Sequence, residues 1–342
     1  MRIHINQAVP GCVLVNDVFA VNETPVVRKQ TALTEQLVEI IKQFLIEYIE
    51  VKPVLVNGDP FSPVKEAEVN SRHQQPEFED IYDTAVEAHE AMWRSWKAGG
   101  AIEMTKARAV LAPLLESLEE HASSVFTSYQ FIDQEKYDSH HAIAVALLAA
   151  FLAKKHGCSR KEWVGAALAG LLCDASLARN SASGQSEADK HPIQSYQMAK
   201  AAGTVSDEVL LAILQHHERE DGSGYPLKMK SGKIYVLSSL VAAADMYHAM
   251  AGERLNSEGK SAFHVMQELA VHSFGKLPPA VIETLTEQFI TVMTGKKVQL
   301  ADGRTASIVH LDRREIEYPL VQLDKDKEVV QLNETLAIHH VL

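Results

Sequence analysis

The residues with chemical potential are histidines and aspartates spread along one long stretch: His140, His141, Asp174, His191, His216, His217 and Asp245. Imidazole and carboxylate together suit iron, manganese, zinc or nickel. Facing helices of a bundle can project such side chains inward onto one centre. His216-His217-Glu218 is the sharpest local clue. Adjacent residues on a helix point about 100° apart, so both rings reach one ion only where the backbone turns away at a helix end. Gly222, Gly224 and Pro226 supply that end. Two ordinary histidines at a frayed terminus would give the same local pattern.

The other positions each have a bland counterpart. His191 precedes Pro192 and marks a helix start, where a solvent-exposed histidine also fits. His140 opens a helix whose Ile143, Leu147, Ala150 and Phe151 face a core, and a satisfied boundary histidine also fits there. Asp245 lies in the run Val241-Ala-Ala-Ala-Asp-Met. A bare carboxylate is costly to bury, so it needs a metal, a buried arginine or a helix cap. Asp174 follows Leu171-Leu172-Cys173, again an acid at the end of an apolar run.

Positioning these groups falls to helices. Residues 79–296 read as an all-α domain, with helices near 102–131, 138–156, 160–173, 189–202, 206–217, 235–251, 260–273 and 278–294. An earlier stripe, Ile81, Ala85, Ala88, Met92 and Trp96, is closed by Gly99 and Gly100. Residues 1–56 read as a small α+β module. Ile3, Ile5, Val13, Val15 and Val18 suggest short strands, and Thr34 caps a helix. That helix carries Leu37, Ile40, Ile41, Phe44, Leu45 and Tyr48 on one stripe, and Val51–Val56 reads as a closing strand. Residues 57–78, with Gly58, Pro60, Pro63 and Pro76, read as a linker. Residues 297–342 alternate as short strands around an Asp302-Gly303 hairpin turn. The expected fold class is mainly α, a helical bundle with a small N-terminal α+β module and a small C-terminal β appendix.

Composition narrows the partners. The chain has 342 residues, 46% hydrophobic and 23% charged, with a net charge of -12. Polymeric nucleic acid is an unexpected partner, because binding it rests on phosphate neutralisation by a basic surface. A small anionic ligand in a metal-lined pocket remains compatible, since the ions dominate the local charge. Cys12, Cys158 and Cys173 form no CxxC spacing and fit a reducing compartment. No run suits a signal peptide or a membrane span, so a cytoplasmic protein is expected.

In order and context these residues resemble the HD-GYP family, a branch of the HD phosphohydrolases. The resemblance covers residues 130–256 and rests on His140, Cys173-Asp174, His191-Pro192, His216-His217-Glu218, Asp221-Gly-Ser-Gly-Tyr-Pro226 and Ala244-Asp245-Met-Tyr247. The stretch from His216 to Pro226 is its most specific part. Membership implies a metal centre that hydrolyses cyclic di-GMP to the linear dinucleotide pGpG or to GMP. It implies one metal position using His140, Asp174 and Asp245 with the first residue of the His-Asp pair. A second would use His191, His216 and His217, with Asp174 as bridge and catalytic centre. Gly224, Tyr225, Pro226 and Arg254 would contact substrate, the arginine through bidentate phosphate contact. Divalent ions, iron or manganese, are expected at one or two per chain.

The sequence departs from that pattern at three places. Cys173 replaces the histidine of the His-Asp pair, Leu177 stands at the lysine position that follows it, and Leu255, Asn256 and Ser257 stand near Arg254 where the family has a second basic residue. Cys173 is either a thiolate ligand or a small buried residue. Two functions follow: a metal-dependent phosphodiesterase weakened by these losses, or an inactive descendant. The latter would bind a cyclic dinucleotide, a protein partner or a second copy of itself. Hydrolysis of another cyclic dinucleotide or nucleotide is a third option.

Overall fold

A computed structural model describes residues 1–19, 25–43, 46, 48–61, 78–179, 189–254 and 261–342. The expected linker falls largely outside the described residues. The chain divides into two compact units, one of residues 1–81 with 108–116, the other of 82–107 with 117–342.

In the first unit, β1 (Arg2–His4) pairs antiparallel with β4 (Tyr48–Glu50), and β2 (Val18–Phe19) pairs with β3 (Pro25–Val27). Helix α1 (Glu35–Gln43) starts where Thr34 Oγ1 accepts the amide of Leu37 at 3.2 Å, the expected cap. Ile3, Leu14, Val27, Leu33, Ile41 and Val51 form its core. Two expectations shift. Ile40 is exposed, and Tyr48 opens β4 instead of extending the helical stripe; Phe44 and Leu45 lie outside the described residues. The closing strand therefore lies before Val51–Val56. Pro53 has no amide to give a ladder, and Val51 and Val54 make only isolated bridges.

The second unit is built on a helix with no polar face. Along the chain come α2 (Phe78–Lys97), α3 (Met104–Glu116), whose residues 108–116 belong to the first unit, and α4 (Ala122–Thr127), then α5 (Tyr137–Lys155), in which every residue from Ser139 to Ala153 is buried. Such a helix can only be central. Its alanines admit close neighbours. On α6 (Arg160–Leu172), a Cβ added at Gly170 would lie 2.9 Å from Ala146 N and Cα, so the two backbones nearly touch. Helix α6 opens on a capping box of Ser159 and Glu162. Helices α7 (His191–Ala201), α8 (Asp207–Gln215) and α9 (Val236–Arg254) follow, then α10 (Ala262–His272) and α11 (Pro279–Met293). Both α6 and α9 pack on α5.

The single helix expected over 102–131 is broken at 117–121. Ser117 caps α3, and Glu119 turns toward Lys154 and Lys155 at 3.4 and 2.9 Å. The C-terminal residues form an antiparallel sheet of order β8-β7-β6-β5-β9. Its strands are β5 (Lys297–Leu300), β6 (Thr305–Asp312), β7 (Glu315–Leu323), β8 (Val329–Gln331) and β9 (Ile338–Val341). Gly303, at φ 86°, sits in the expected turn between β5 and β6. The amide of Ile316 donates to Gln267 Oε1 at 2.8 Å, tying β7 to α10. No helix among the described residues is long and apolar enough to cross a membrane. The architecture is mainly α, with a small N-terminal α+β module and a C-terminal sheet.

His89 of α2 is fully buried, edge-on to Trp96, with Nδ1 3.0 Å from Ser139 Oγ. Burial pushes its pKa down from 6.5 to about 4. The unfolded chain takes this proton as pH falls through 6.5, while the folded chain refuses it until about 4. Stability from this group is therefore intact above 6.5 and lost downward across that window, by about 2 kcal/mol at pH 5. Urea unfolding at pH 7 and pH 5 should show this loss, and His89→Gln should flatten it.

Candidate metal centre

The histidines and aspartates converge because each stands at a helix end or on the central helices. Asp174 follows Cys173, the C-cap of α6. His191 is the first residue of α7, with Pro192 beside it. His216 caps the C-terminus of α8, where the backbone turns, so His216 and His217 can both face inward. Their rings are 4.0 Å apart. The turn after them is held by Glu218, a buried carboxylate that accepts the amides of Leu227 at 2.6 Å and Met229 at 2.7 Å. Gly224 has no room for a side chain, since a Cβ would sit 2.4 Å from His217 O and Arg219 N. The next residue, Tyr225, stacks its ring on His217 with centroids 4.6 Å apart.

Two groups of ligand atoms result. Asp174, His191, His216 and His217 bring their atoms within 4.8 Å of one another, and so do His141, Asp174 and Asp245. Asp174 belongs to both. Its Oδ1 lies 3.0 Å from His191 Nε2 and 3.7 Å from His216 Nε2, while its Oδ2 lies 3.7 Å from His141 Nε2. Asp245 spans the same gap, with Oδ1 3.0 Å from His141 Nε2 and Oδ2 3.8 Å from His217 Nδ1.

The donors fit a cation. His216 Nδ1 is 2.7 Å from the carbonyl of Ile213, so that nitrogen carries the proton and donates it. Its Nε2 is left with a lone pair, 3.2 Å from His191 Nε2, which is how an outer hydrogen bond prepares a ligating imidazole. Charges follow the same plan. Burial works against ionisation of Asp174, but the neighbouring His191 and His216 outweigh it and hold its pKa well below the usual carboxylate range. Asp245 is likewise depressed, with His141 overcoming burial. Burial, then the neighbouring His216, pushes His217 well down and keeps it neutral, as a ligand must be.

The expected residues fall into place unevenly. His140 joins neither group. Its Nε2 accepts the amide of Asp133 at 3.2 Å, and its ring lies beside Tyr82 at 5.7 Å. His141, one helical step of about 100° further round, faces Asp174 and Asp245 instead. Cys173 joins neither group. Its thiol donates to Gly170 O at 3.3 Å, and burial, followed by Asp174 and Asp245, raises its pKa well above the ordinary value. It sits as a buried neutral residue. Leu177 is half-buried in the 3-10 turn Ala175–Ala178 after Asp174. Pro226 follows Tyr225 through a cis peptide. The side chain of Arg254 lies outside the described residues. Sequence reasoning missed His248, one turn beyond Asp245 on α9, whose Nδ1 lies 3.0 Å from His141 Nδ1. The three-residue spacing from Asp245 was its available signal.

Residues 111–276 match the family model described as HD domain. This stretch is an HD domain. Its His216–Pro226 stretch and the relatives below make it similar to the HD-GYP family. A cyclic di-GMP phosphodiesterase of Pseudomonas aeruginosa is 25% identical over 68% of this chain and 59% of its own. One from Borreliella burgdorferi is 26% identical over 44% of this chain and 40% of its own. One from Thermotoga maritima is 37% identical over 20% of this chain and 19% of its own. The chain thus spans less than two thirds of each relative. An HD domain implies binding of divalent metal, and the His/Asp cluster of this chain is where such ions would be held.

Glu218 offers a test of how the His-His turn is kept. Glu218→Gln leaves one acceptor oxygen for two part-buried amides, a loss of about 1–3 kcal/mol. Hydrogen exchange at Leu227 and Met229 should accelerate about tenfold or more, with the protection of α5 unchanged.

Proposed function

We propose that this domain is a metal-dependent phosphodiesterase that hydrolyses cyclic di-GMP to pGpG or GMP, with reduced turnover. The observation that carries the reading is the Asp174 carboxylate, whose two oxygens face two separate ligand groups. That arrangement suits a pair of ions acting together on one phosphodiester. Three relatives bearing the name cyclic di-GMP phosphodiesterase support the substrate.

In this reading Asp174, His191, His216 and His217 hold one ion, and His141, Asp174 and Asp245 hold another. Bound divalent ions would acidify water and stabilise the negative charge that develops on the phosphoryl group. The chain's own residues do the rest. Asp174 stays ionised between the two positions. The rings of His191, His216 and His217 would offer nitrogen lone pairs for coordination. Tyr225, its hydroxyl kept protonated chiefly by burial, lies against His217 and walls the site, with Gly224 and Pro226 shaping the turn. Arg254 is assigned to a substrate phosphate. Leu177 supplies no cation, so substrate charge is met by fewer groups. The ions are iron or manganese, at one or two per chain, and the three free cysteines fit a cytoplasmic setting.

Cys173 and Leu177 also favour a second reading: a binding module that takes a cyclic dinucleotide, or docks a protein partner or second copy, without turnover. One experiment separates them. The chain is purified without a metal-affinity tag, loaded with manganese or iron under reducing conditions, and analysed for metal content and for pGpG and GMP release. The phosphodiesterase reading expects bound metal and slow hydrolysis. Asp174→Asn, which disturbs both ligand groups, should lose both metals and lower the rate by about a thousandfold or more. Metal uptake without any product would favour the binding module. No uptake at all would overturn the metal-dependent reading.

A further inference from the structure

His248 is buried on α9, 2% exposed, and neither ligand group uses it. Its ring lies 5.1 Å from that of His141, inclined by 58°, with the two Nδ1 atoms 3.0 Å apart. Its other nitrogen, Nε2, is buried without a hydrogen-bond partner among the described residues. A distance of 3.0 Å between two ring nitrogens means that one proton lies between them.

For a neutral pair there are two arrangements. In the first, His248 Nδ1–H donates to His141 Nδ1. The proton of His141 is then on Nε2 and donates to Asp245 Oδ1 at 3.0 Å, and His141 has no lone pair for an ion. In the second, His141 Nδ1–H donates to His248 Nδ1. His141 Nε2 then presents its lone pair between Asp245 Oδ1 at 3.0 Å and Asp174 Oδ2 at 3.7 Å. A lone pair facing two carboxylate oxygens is repulsive until a cation sits among them. The second arrangement also puts the His248 proton on the unpartnered Nε2, a cost that only the cation repays.

We propose that His248 is a positioning residue whose Nδ1 accepts a hydrogen bond from His141 Nδ1–H and so leaves His141 Nε2 as a ligand of the metal shared with Asp174 and Asp245. This rests on the reading that those three residues hold a metal. It gives the first metal position a support from α9, on the side where Cys173 contributes no ligand. A bound ion would require the second arrangement, with His141 Nδ1–H donating to His248 Nδ1 and the His141 Nε2 lone pair free for the ion.

The test uses the full chain with labelled histidines, metal-free and loaded with zinc, followed by histidine nitrogen NMR, with zinc content and affinity measured in parallel. In the loaded protein His141 is expected to carry its proton on Nδ1 and His248 on Nε2. His248→Ala is expected to weaken one zinc position about ten- to a hundredfold and to leave the other unchanged. His248→Asp offers a carboxylate acceptor to the same Nδ1–H and should restore that position, which a purely space-filling role would not. It also serves if the alanine variant fails to fold. His248 keeping Nδ1–H in the loaded protein, or His248→Ala binding both zinc ions as wild type does, would overturn the proposal. If His141→Ala and Asp245→Asn lose one zinc while His248→Ala does not, the positioning role of His248 alone fails. If they retain all the zinc of wild type, the metal reading of these residues fails with it.

Discussion

Asp174 is a carboxylate set into a wall of imidazoles, with its side chain only 19% exposed. Removing such a charge from water is costly unless hydrogen bonds and opposite charge replace the lost solvation. His191 and His216 answer one oxygen and His141 the other. These partners come from three different places in the chain and Asp174 from a fourth, so satisfying one carboxylate requires α5, α6, α7 and α8 to end or pass at the same point. The close approach of α5 and α6 at Gly170 and Ala146 delivers Asp174 to that point. The break of α8 at His216, kept by Glu218, delivers the histidine pair. The metal groups, the Tyr225 turn and the α9 histidine all depend on this convergence.

The two ligand groups are unequal. One has three imidazoles and a carboxylate, with at least one ring preset by a backbone carbonyl. The other has a single imidazole and two carboxylates. Cys173 lies at the junction but is turned toward the Gly170 carbonyl and held protonated. Its replacement of a histidine therefore removes a donor without offering a thiolate. The consequence is graded and not all-or-none: the first position still has three oxygen or nitrogen donors, which hard and borderline cations accept. In the proposed phosphodiesterase reading, Leu177 would bear on a different quantity, the neutralisation of substrate charge.

Most of the centre was legible because buried acids and histidines at helix ends are hard to explain otherwise. Asp174 after Leu171-Leu172-Cys173, Asp245 among alanines, and His216-His217 before a glycine-rich turn all carry that signature. The choice between His140 and His141 was not legible. Amphipathic patterning separates inward from outward residues, and α5 has no outward side over Ser139–Ala153. His248 was hidden for the same reason, on a helix whose neighbouring alanines give no phase. In the N-terminal unit the helical period ran on through Tyr48, but that residue pairs across a sheet with His4. Strand pairing between residues so far apart in sequence is a tertiary outcome that local periodicity does not contain.

The central claim is that Asp174 joins two metal positions into one centre. Loading the full chain with manganese at two ions per chain and recording its electron paramagnetic resonance tests this most directly, because ions sharing a carboxylate couple their spins. A spin-coupled spectrum that collapses to that of isolated ions in Asp174→Ala is the expected result. A wild-type spectrum of two isolated manganese ions, unchanged by that substitution, would contradict the account.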